Sequence, residues 1–266
     1  MIASYYLKAL AANRYVWGWG VGFMAFFLVL GAFGFSQGVG SGPSTILWFT
    51  ASWFGLTTLF AFGAASVTVS YTIFYASSSL AYAFRFTRLR PASFVLGLLV
   101  GVVAVGLVQT GAMLLVSALL FSAHFHQWVL PVNPVGAIAV AIPSAMFIGV
   151  FSLLTVLIAL NYVSARSINA IVWVPYMLTF SLGFAQLFGT LPAWFEYGSP
   201  FNDMLGLLVM AYRGAPVGVT FASSGSVLDW RVLLGVLLAW IAAFLLLTQR
   251  LVRSIRAQDI EALRPV

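Results

Sequence analysis

The sequence predicts an all-α integral membrane protein with six transmembrane helices, both termini cytoplasmic, and outer re-entrant half-helices between spans five and six. Three observations predict it. Uncharged apolar runs recur at 16–36, 47–72, 93–121, 134–160, 168–189 and 232–249, and a hydrocarbon core of about 30 Å needs about 20 such residues in a helix. Charged residues are 6% of the 266, against about 25% in an ordinary soluble domain, and they sit between the runs. With the N-terminus placed inside, Lys8, Arg14, Arg85, Arg88, Arg90, Arg166, Arg250, Arg253, Arg256 and Arg264 fall on the inner side, and only Arg213 and Arg231 fall outside. That is a strong positive-inside bias, and the inverse topology is rejected.

The acids divide differently. Glu196, Asp203 and Asp229 fall in the outer segment before the last span, and Asp259 and Glu261 in the inner tail. The net charge of +7 is therefore a consequence of topology. It is not a nucleic-acid footprint, because the basic residues never gather on a soluble domain. Their expected partners are anionic lipid headgroups, at roughly 1 kcal/mol per residue. The chain 1–266 reads as a single transmembrane domain, with no segment left to bury a soluble core. The absence of cysteine excludes disulfides, thiolate metal sites and thiol chemistry.

Residues 1–15 carry Ile2, Tyr6 and Leu10 at helical spacing among Lys8, Asn13 and Arg14. They read either as a short helix along the inner surface or as a frayed lead into the first span. That span lacks a small-residue cleavage site and is followed by five similar runs, so it is read as a span rather than a cleavable signal. Its Gly18 and Gly22, like Gly97 and Gly101 in the third span, have the small-xxx-small spacing that lets helix backbones approach. Gly38, Gly40, Gly42 and Pro43 mark a short outer loop over 37–46.

The second span is studded with Thr57, Thr58, Ser66, Thr68 and Ser70. Such hydroxyls can bond their own helix backbone and need not mark a pathway. In the inner segment 73–92, Phe84 and Phe86 flank Arg85, and Arg88, Arg90 and Pro91 follow. A short amphipathic helix here would present arginines and aromatics to something cytoplasmic. A plain lipid anchor is the alternative.

Gln109 lies near the middle of the third span. A buried amide needs a partner in hydrocarbon, so it either lines a pathway or bridges two helices. His124 and His126, in the outer loop 122–133, make too few ligands for a metal site and read as interfacial polar residues. Pro143 and Pro175 are expected to kink the fourth and fifth spans, which the short loop around 161–169 makes antiparallel neighbours.

The segment 190–230 is the longest between spans. Its apolar piece ending at Met210 is too short to cross a bilayer. It reads as half-helices dipping back into the outer leaflet, which is allowed where protein buries them or water fills a cavity. After the last span, Arg250, Arg253 and Arg256 share one face of a tail, 250–266, pinned to the inner headgroups.

Lys8 is the only lysine, so no G-x-x-x-x-G-K-[ST] loop exists. No H-E-x-x-H and no nucleophile elbow occurs either. All five acids lie outside the apolar runs, which argues against a proton-driven relay of intramembrane carboxylates. The two halves share no repeat, which argues against many secondary transporters.

Ser181 and Gly183 are followed by Leu191-Pro192-Ala193-Trp194, then Ser199-Pro200, then a short apolar stretch closed by Arg213-Gly214. This order resembles permease subunits of type-2 ABC exporters, which have a Ser/Gly-rich fifth span, a Leu-Pro-x-Trp turn, an Asn-Pro pair and a short helix ending near Arg and Gly. The order of elements over the whole chain agrees. Ser199-Pro200 replaces Asn-Pro, and the loop after the second span lacks the acid that many relatives carry. The resemblance implies a permease without its own catalytic site. It implies a second permease subunit, identical or homologous, and a separate nucleotide-binding ATPase subunit that holds ATP and Mg. No cofactor is implied in this chain. Residues 1–15 and 73–92 would transmit force, with Arg85, Arg88, Arg90, Lys8 and Arg14 near the ATPase. Trp194, Glu196 and Arg213 would form the outer gate, and Gln109 and Gln186 would lie on the pathway. The mostly uncharged spans favour amphipathic or lipid-like cargo. A gradient-driven carrier or pore, and a scaffold subunit of a membrane complex, are the alternatives.

Overall fold

Apolar patterning is realised as helix along most of the chain. The computed structural model describes residues 2–87, 89–163, 165–189, 191–217, 227–252 and 255. Arg88, Arg253, Arg256, Arg264, Asp259 and Glu261, most of the tail 250–266 and residues 218–226 therefore lie outside the described residues. Helix α1 (Ile2–Ala11) is followed by α2 (Arg14–Trp17), a π-helical segment Gly18–Phe23, α3 (Met24–Val29) and a second π-helical segment Leu30–Gly34. Then come α4 (Pro43–Tyr75), α5 (Ser77–Phe86), α6 (Pro91–Phe125) and α7 (Pro134–Tyr162). The rest is α8 (Ala165–Val172), α9 (Val174–Phe188), α10 (Ala193–Gly198), α11 (Pro200–Arg213) and α12 (Trp230–Val252).

Six helical stretches are long and apolar enough to cross a membrane: Arg14–Gly34, Pro43–Tyr75, Pro91–Phe125, Pro134–Tyr162, Ser167–Phe188 and Trp230–Val252. These are the six predicted runs: the first and fifth are shifted by one or two residues, and the others are longer. The second and third start at Pro43 and Pro91, several residues early, because proline at the first helical position gives up only an N–H that has no intrahelical partner. Pro143 leaves α7 unbroken. Pro175 does interrupt its span, dividing it at Trp173 into α8 and α9. Helix α9 then leans chiefly on α4 rather than α7: Thr179 meets Gly63, and Gly183 meets Leu56 and Phe60.

Helix α4 is the axis, almost wholly buried. Of the hydroxyls singled out in the sequence, Thr57 and Ser66 bond back to their own helix, at the Trp53 and Gly63 carbonyls, as Thr50 does to Ile46 at 2.9 Å, whereas Thr58 is buried without a partner. Ser70 instead reaches the Ser152 carbonyl of α7 at 3.4 Å. The close backbone approaches of the first span fall at Gly20 and Gly31, not at Gly18 and Gly22. A Cβ at Gly20 would overlap the Gln109 amide and one at Gly31 the Trp53 ring, whereas Gly18 has open space. In the third span, Gly101 does admit a backbone, that of α1 at Tyr6 and Leu7.

Two apolar cores stack along the bundle. One gathers α11 with Trp53, Phe54, Phe60 and Phe147. The other gathers Tyr6 and Leu10 of α1, Leu80 of α5, Phe94, and the C-terminal end of α12. Helix α1 and the end of α12 thus share one end of the molecule with Lys8, Arg14, Arg85, Arg90 and Arg250, while Arg213 and Arg231 lie toward the other.

Candidate functional site

Helix α11 has fourteen residues, about 21 Å at 1.5 Å per residue, too short to cross a bilayer. Almost every side chain in it is buried. It lies antiparallel to the first half of α7. At its start, Phe201 packs edge-on against Phe147 and Phe151, at 5.4 and 5.8 Å between centroids, midway along α7. At its far end, the Tyr212 hydroxyl donates to the Val129 carbonyl at 3.0 Å. The N–H groups of Val132 and Asn133 donate to the Tyr212 and Ala211 carbonyls at 2.8 and 3.2 Å. Gly214 closes the helix with φ of 71°, a left-handed cap that glycine adopts without strain. Its missing Cβ also leaves room for Val132.

Helix α10 and α11 meet in an elbow at Ser199. Pro200 opens α11 at its first position, the place where a fixed φ and a missing N–H cost least. The Trp240 indole N–H of α12 donates to the Gly198 carbonyl at 2.9 Å and ties the elbow to the last span. At the elbow Glu196 and Asp203 are both 0% exposed. Neither carboxyl has a hydrogen-bond partner, and the side chains of Ser199, Asn202 and Gln186 are buried and unpartnered too. Burial pushes the Glu196 carboxyl up to about 7 and the Asp203 carboxyl up to about 8.

The predicted gate residues are not brought together. Trp194 is 76% exposed, while Glu196, two positions on along the same helix, points into the protein. Arg213 lies at the far end of α11 and donates to the Pro216 carbonyl at 3.3 Å. Sequence reasoning puts Asp203 in an outer loop and misses it, with Ser199 and Asn202, as a buried polar residue of the elbow, and misses the Trp240 tie to Gly198. The available signal was Ser199-Pro200 opening an apolar helix whose first turn holds an acid.

Gln109 is fully buried and donates to the Val16 carbonyl of the first span at 3.5 Å, so it bridges two helices. His124 Nε2 meets Ser36 Oγ at 2.9 Å, joining the last turn of α6 to the chain just after the first span. Among the described residues no group of three or more His, Cys, Asp or Glu could hold a metal ion.

At the other end, α1 and α5 converge on one ring. Phe94, in the first turn of α6, stacks edge-on with Tyr6 of α1 at 5.7 Å and with Phe84 of α5 at 5.5 Å. Arg85, with Ala81, Phe84 and Pro91, lines a cleft of about 310 Å³ against Val252 and Ile255. Arg14 lies over the Tyr15 ring at 5.6 Å. A separate apolar cavity of about 490 Å³ opens between α7, α11 and α12, lined by Val140, Pro143, Leu207, Met210, Trp230 and Leu234.

No protein-family model and no curated protein matches this chain. What the molecule is rests on its own geometry: a multi-pass bundle of six apolar helices, with the short buried helix α11 and its partner α10 toward one end and the short helices α1 and α5 at the other.

Proposed function

We propose that this chain is the transmembrane permease subunit of an ATP-driven exporter of the type-2 ABC class, multi-pass in the cell membrane with both termini cytoplasmic. The observation that carries the reading is the junction at Phe94. The two segments that the resemblance casts as transmission elements each put one ring on Phe94, at the start of the third span. A motor that pushes α5 would move α1 and α6 with it. Lys8, Arg14, Arg85 and Arg90 lie at that end, and the positive-inside bias makes it the cytoplasmic one. Anionic lipids and an acidic face of the ATPase are the partners that this charge favours.

Helices α10 and α11 are then re-entrant half-helices of the outer leaflet. The burial of α11 against α4, α7 and α12 supports this, because short helical segments are tolerated at membrane depth where protein covers them. The first span and α9 flank α4 on one side and leave Trp19, Phe26, Phe33, Trp173, Met177 and Phe188 uncovered. A second permease subunit would pack there, with an amphipathic or lipid-like cargo passing along the shared face. ATP and Mg belong to the partner ATPase.

The test is reconstitution. The purified chain should hydrolyse no ATP alone and should stimulate hydrolysis by a nucleotide-binding subunit recovered with it from the native membrane. Exhaustive co-purification that yields no such subunit would end the reading. A gradient-driven carrier is the second reading, favoured by the unpaired Glu196 and Asp203 within the protein. It requires flux in liposomes that contain this chain alone.

A further inference from the structure

Fourteen buried side-chain oxygen and nitrogen atoms lack a hydrogen-bond partner among the described residues, and most belong to five residues: Gln186, Glu196, Ser199, Asn202 and Asp203. Four of these five fall within one stretch of backbone. The Asp203 N–H donates to the Ser199 carbonyl at 3.0 Å and the Ser199 N–H to the Phe195 carbonyl at 2.9 Å, so backbone bonds run through Ser199 from α10 to α11, while both carboxyls stay unbonded. Gln186 lies on α9, which packs against α11. An isolated polar group in apolar surroundings is costly, and buried polar atoms in folded proteins are nearly always paired. Such a concentration of unpaired atoms around two acids therefore calls for a ligand that the elbow can take.

The chemistry of the surroundings selects which ligand. The titratable groups on the packed elements are Tyr71 and Tyr75 on α4, Tyr162 on α7, Tyr176 on α9, Tyr197 on α10, Tyr212 and Arg213 on α11, and Arg231 and Arg250 on α12. None bonds either carboxyl. Arg213 is at the opposite end of α11, turned to Pro216, and Arg231 lies over the Trp230 ring. With no cation supplied by the described residues, two carboxylates cannot both stay ionised once water is gone. The neutral acid resolves this at least cost in space.

We propose that Glu196 and Asp203, with Ser199 and Asn202, form a proton-binding site at the α10–α11 elbow, loaded while the elbow is packed and emptied when it opens to water. On opening, each carboxyl O–H bond breaks, the proton passes to water, and the carboxylate keeps the electron pair. On closing, water returns the proton. Both states are built in. Apolar packing favours the acid form, whereas hydration favours the anion, helped at Asp203 by its place in the first turn of α11. The elbow's opening is thereby linked to pH under either reading of the function, and the inference depends on neither.

Infrared spectroscopy of the full-length chain in lipid nanodiscs tests it without partner or cargo. The carbonyl stretch of protonated carboxyl groups should persist at neutral pH and vanish only on the alkaline side. Glu196→Gln and Asp203→Asn should each remove part of it, and the double variant all of it. A wild-type spectrum with no such band at neutral pH overturns the proposal even where a variant fails to fold. So does a band unchanged in the double variant. Loss of the wild-type band on replacing choline with sodium at fixed pH also overturns it, by showing a cation site instead.

Discussion

Trp240 of α12 donates its indole N–H to the Gly198 carbonyl at 2.9 Å, fastening the α10–α11 elbow to the last span. That carbonyl sits at the end of a six-residue helix, where the last turn has no intrahelical donors. The Trp240 ring also packs edge-on against Phe244 at 5.2 Å. Trp240→Phe keeps the packing and removes the donor, so it should cost about 1 kcal/mol, read as a lowered thermal midpoint in detergent. Trp194→Phe, on the exposed face of the same elbow, should leave the midpoint unchanged. Equal losses in both variants would show that the hydrogen bond does not anchor the elbow.

The six spans were legible because hydrophobic length is a local property of the chain. The short helices α5 and α11 were legible for the same reason: each is apolar or amphipathic but too short to cross. What escaped was depth. Asp203 is four residues past Ser199 in a segment without spanning length, and a charge count by loops assigns it to the outside. Only the antiparallel packing of Phe201 on Phe147 and Phe151 reveals that the start of α11 lies halfway down α7. The choice between Gly18–Gly22 and the pair Gly20 and Gly31 escaped for a related reason. The π-helical turns of the first span shift which face meets α4 and α6, and a 3.6-residue period cannot anticipate that. Gln186 was named only as a pathway position through the resemblance, and neither its burial nor its want of a partner was legible.

Stability should fall as pH rises. The carboxyl of Asp203 moves from 3.8 to about 8 on folding and that of Glu196 from 4.5 to about 7, in both cases through burial. Between those limits the folded chain holds more protons than the unfolded one. Stability is therefore fully present below the unfolded values and is lost as pH climbs through the folded ones. Thermal midpoints measured from mildly acidic to alkaline pH should decline for the wild type, and the slope should flatten in Asp203→Asn. A midpoint that rises over this window would contradict the burial of both groups.

Gly20 faces the Gln109 amide so closely that a Cβ there would overlap Nε2. Gly20→Ala should therefore push Gln109 off the Val16 carbonyl, which it now reaches at 3.5 Å. Overpacking of this kind costs about 1–3 kcal/mol. The double variant Gly20→Ala with Gln109→Ala should recover most of the lost midpoint, because the clash needs both side chains. Additive losses in the pair would show that the two sites are uncoupled.

Phe94 is the joint through which α5 and α1 would act on α6. Its ring meets Phe84 at 5.5 Å and Tyr6 at 5.7 Å, and all three lie in or against one apolar cluster. Phe94→Leu keeps the site apolar but removes both edge-on contacts. Under the proposed reading, the variant should retain its ATPase partner, because Arg85 and Arg90 are untouched. Its stimulation of hydrolysis should fall on the order of tenfold, corresponding to about 1.4 kcal/mol of lost coupling. Arg85→Glu should do the reverse, weakening association while leaving the joint intact. The measurement is ATPase rate against added permease, with binding read separately by pull-down. If Phe94→Leu lowers binding and stimulation in proportion, the ring is part of the docking surface rather than the transmission between helices.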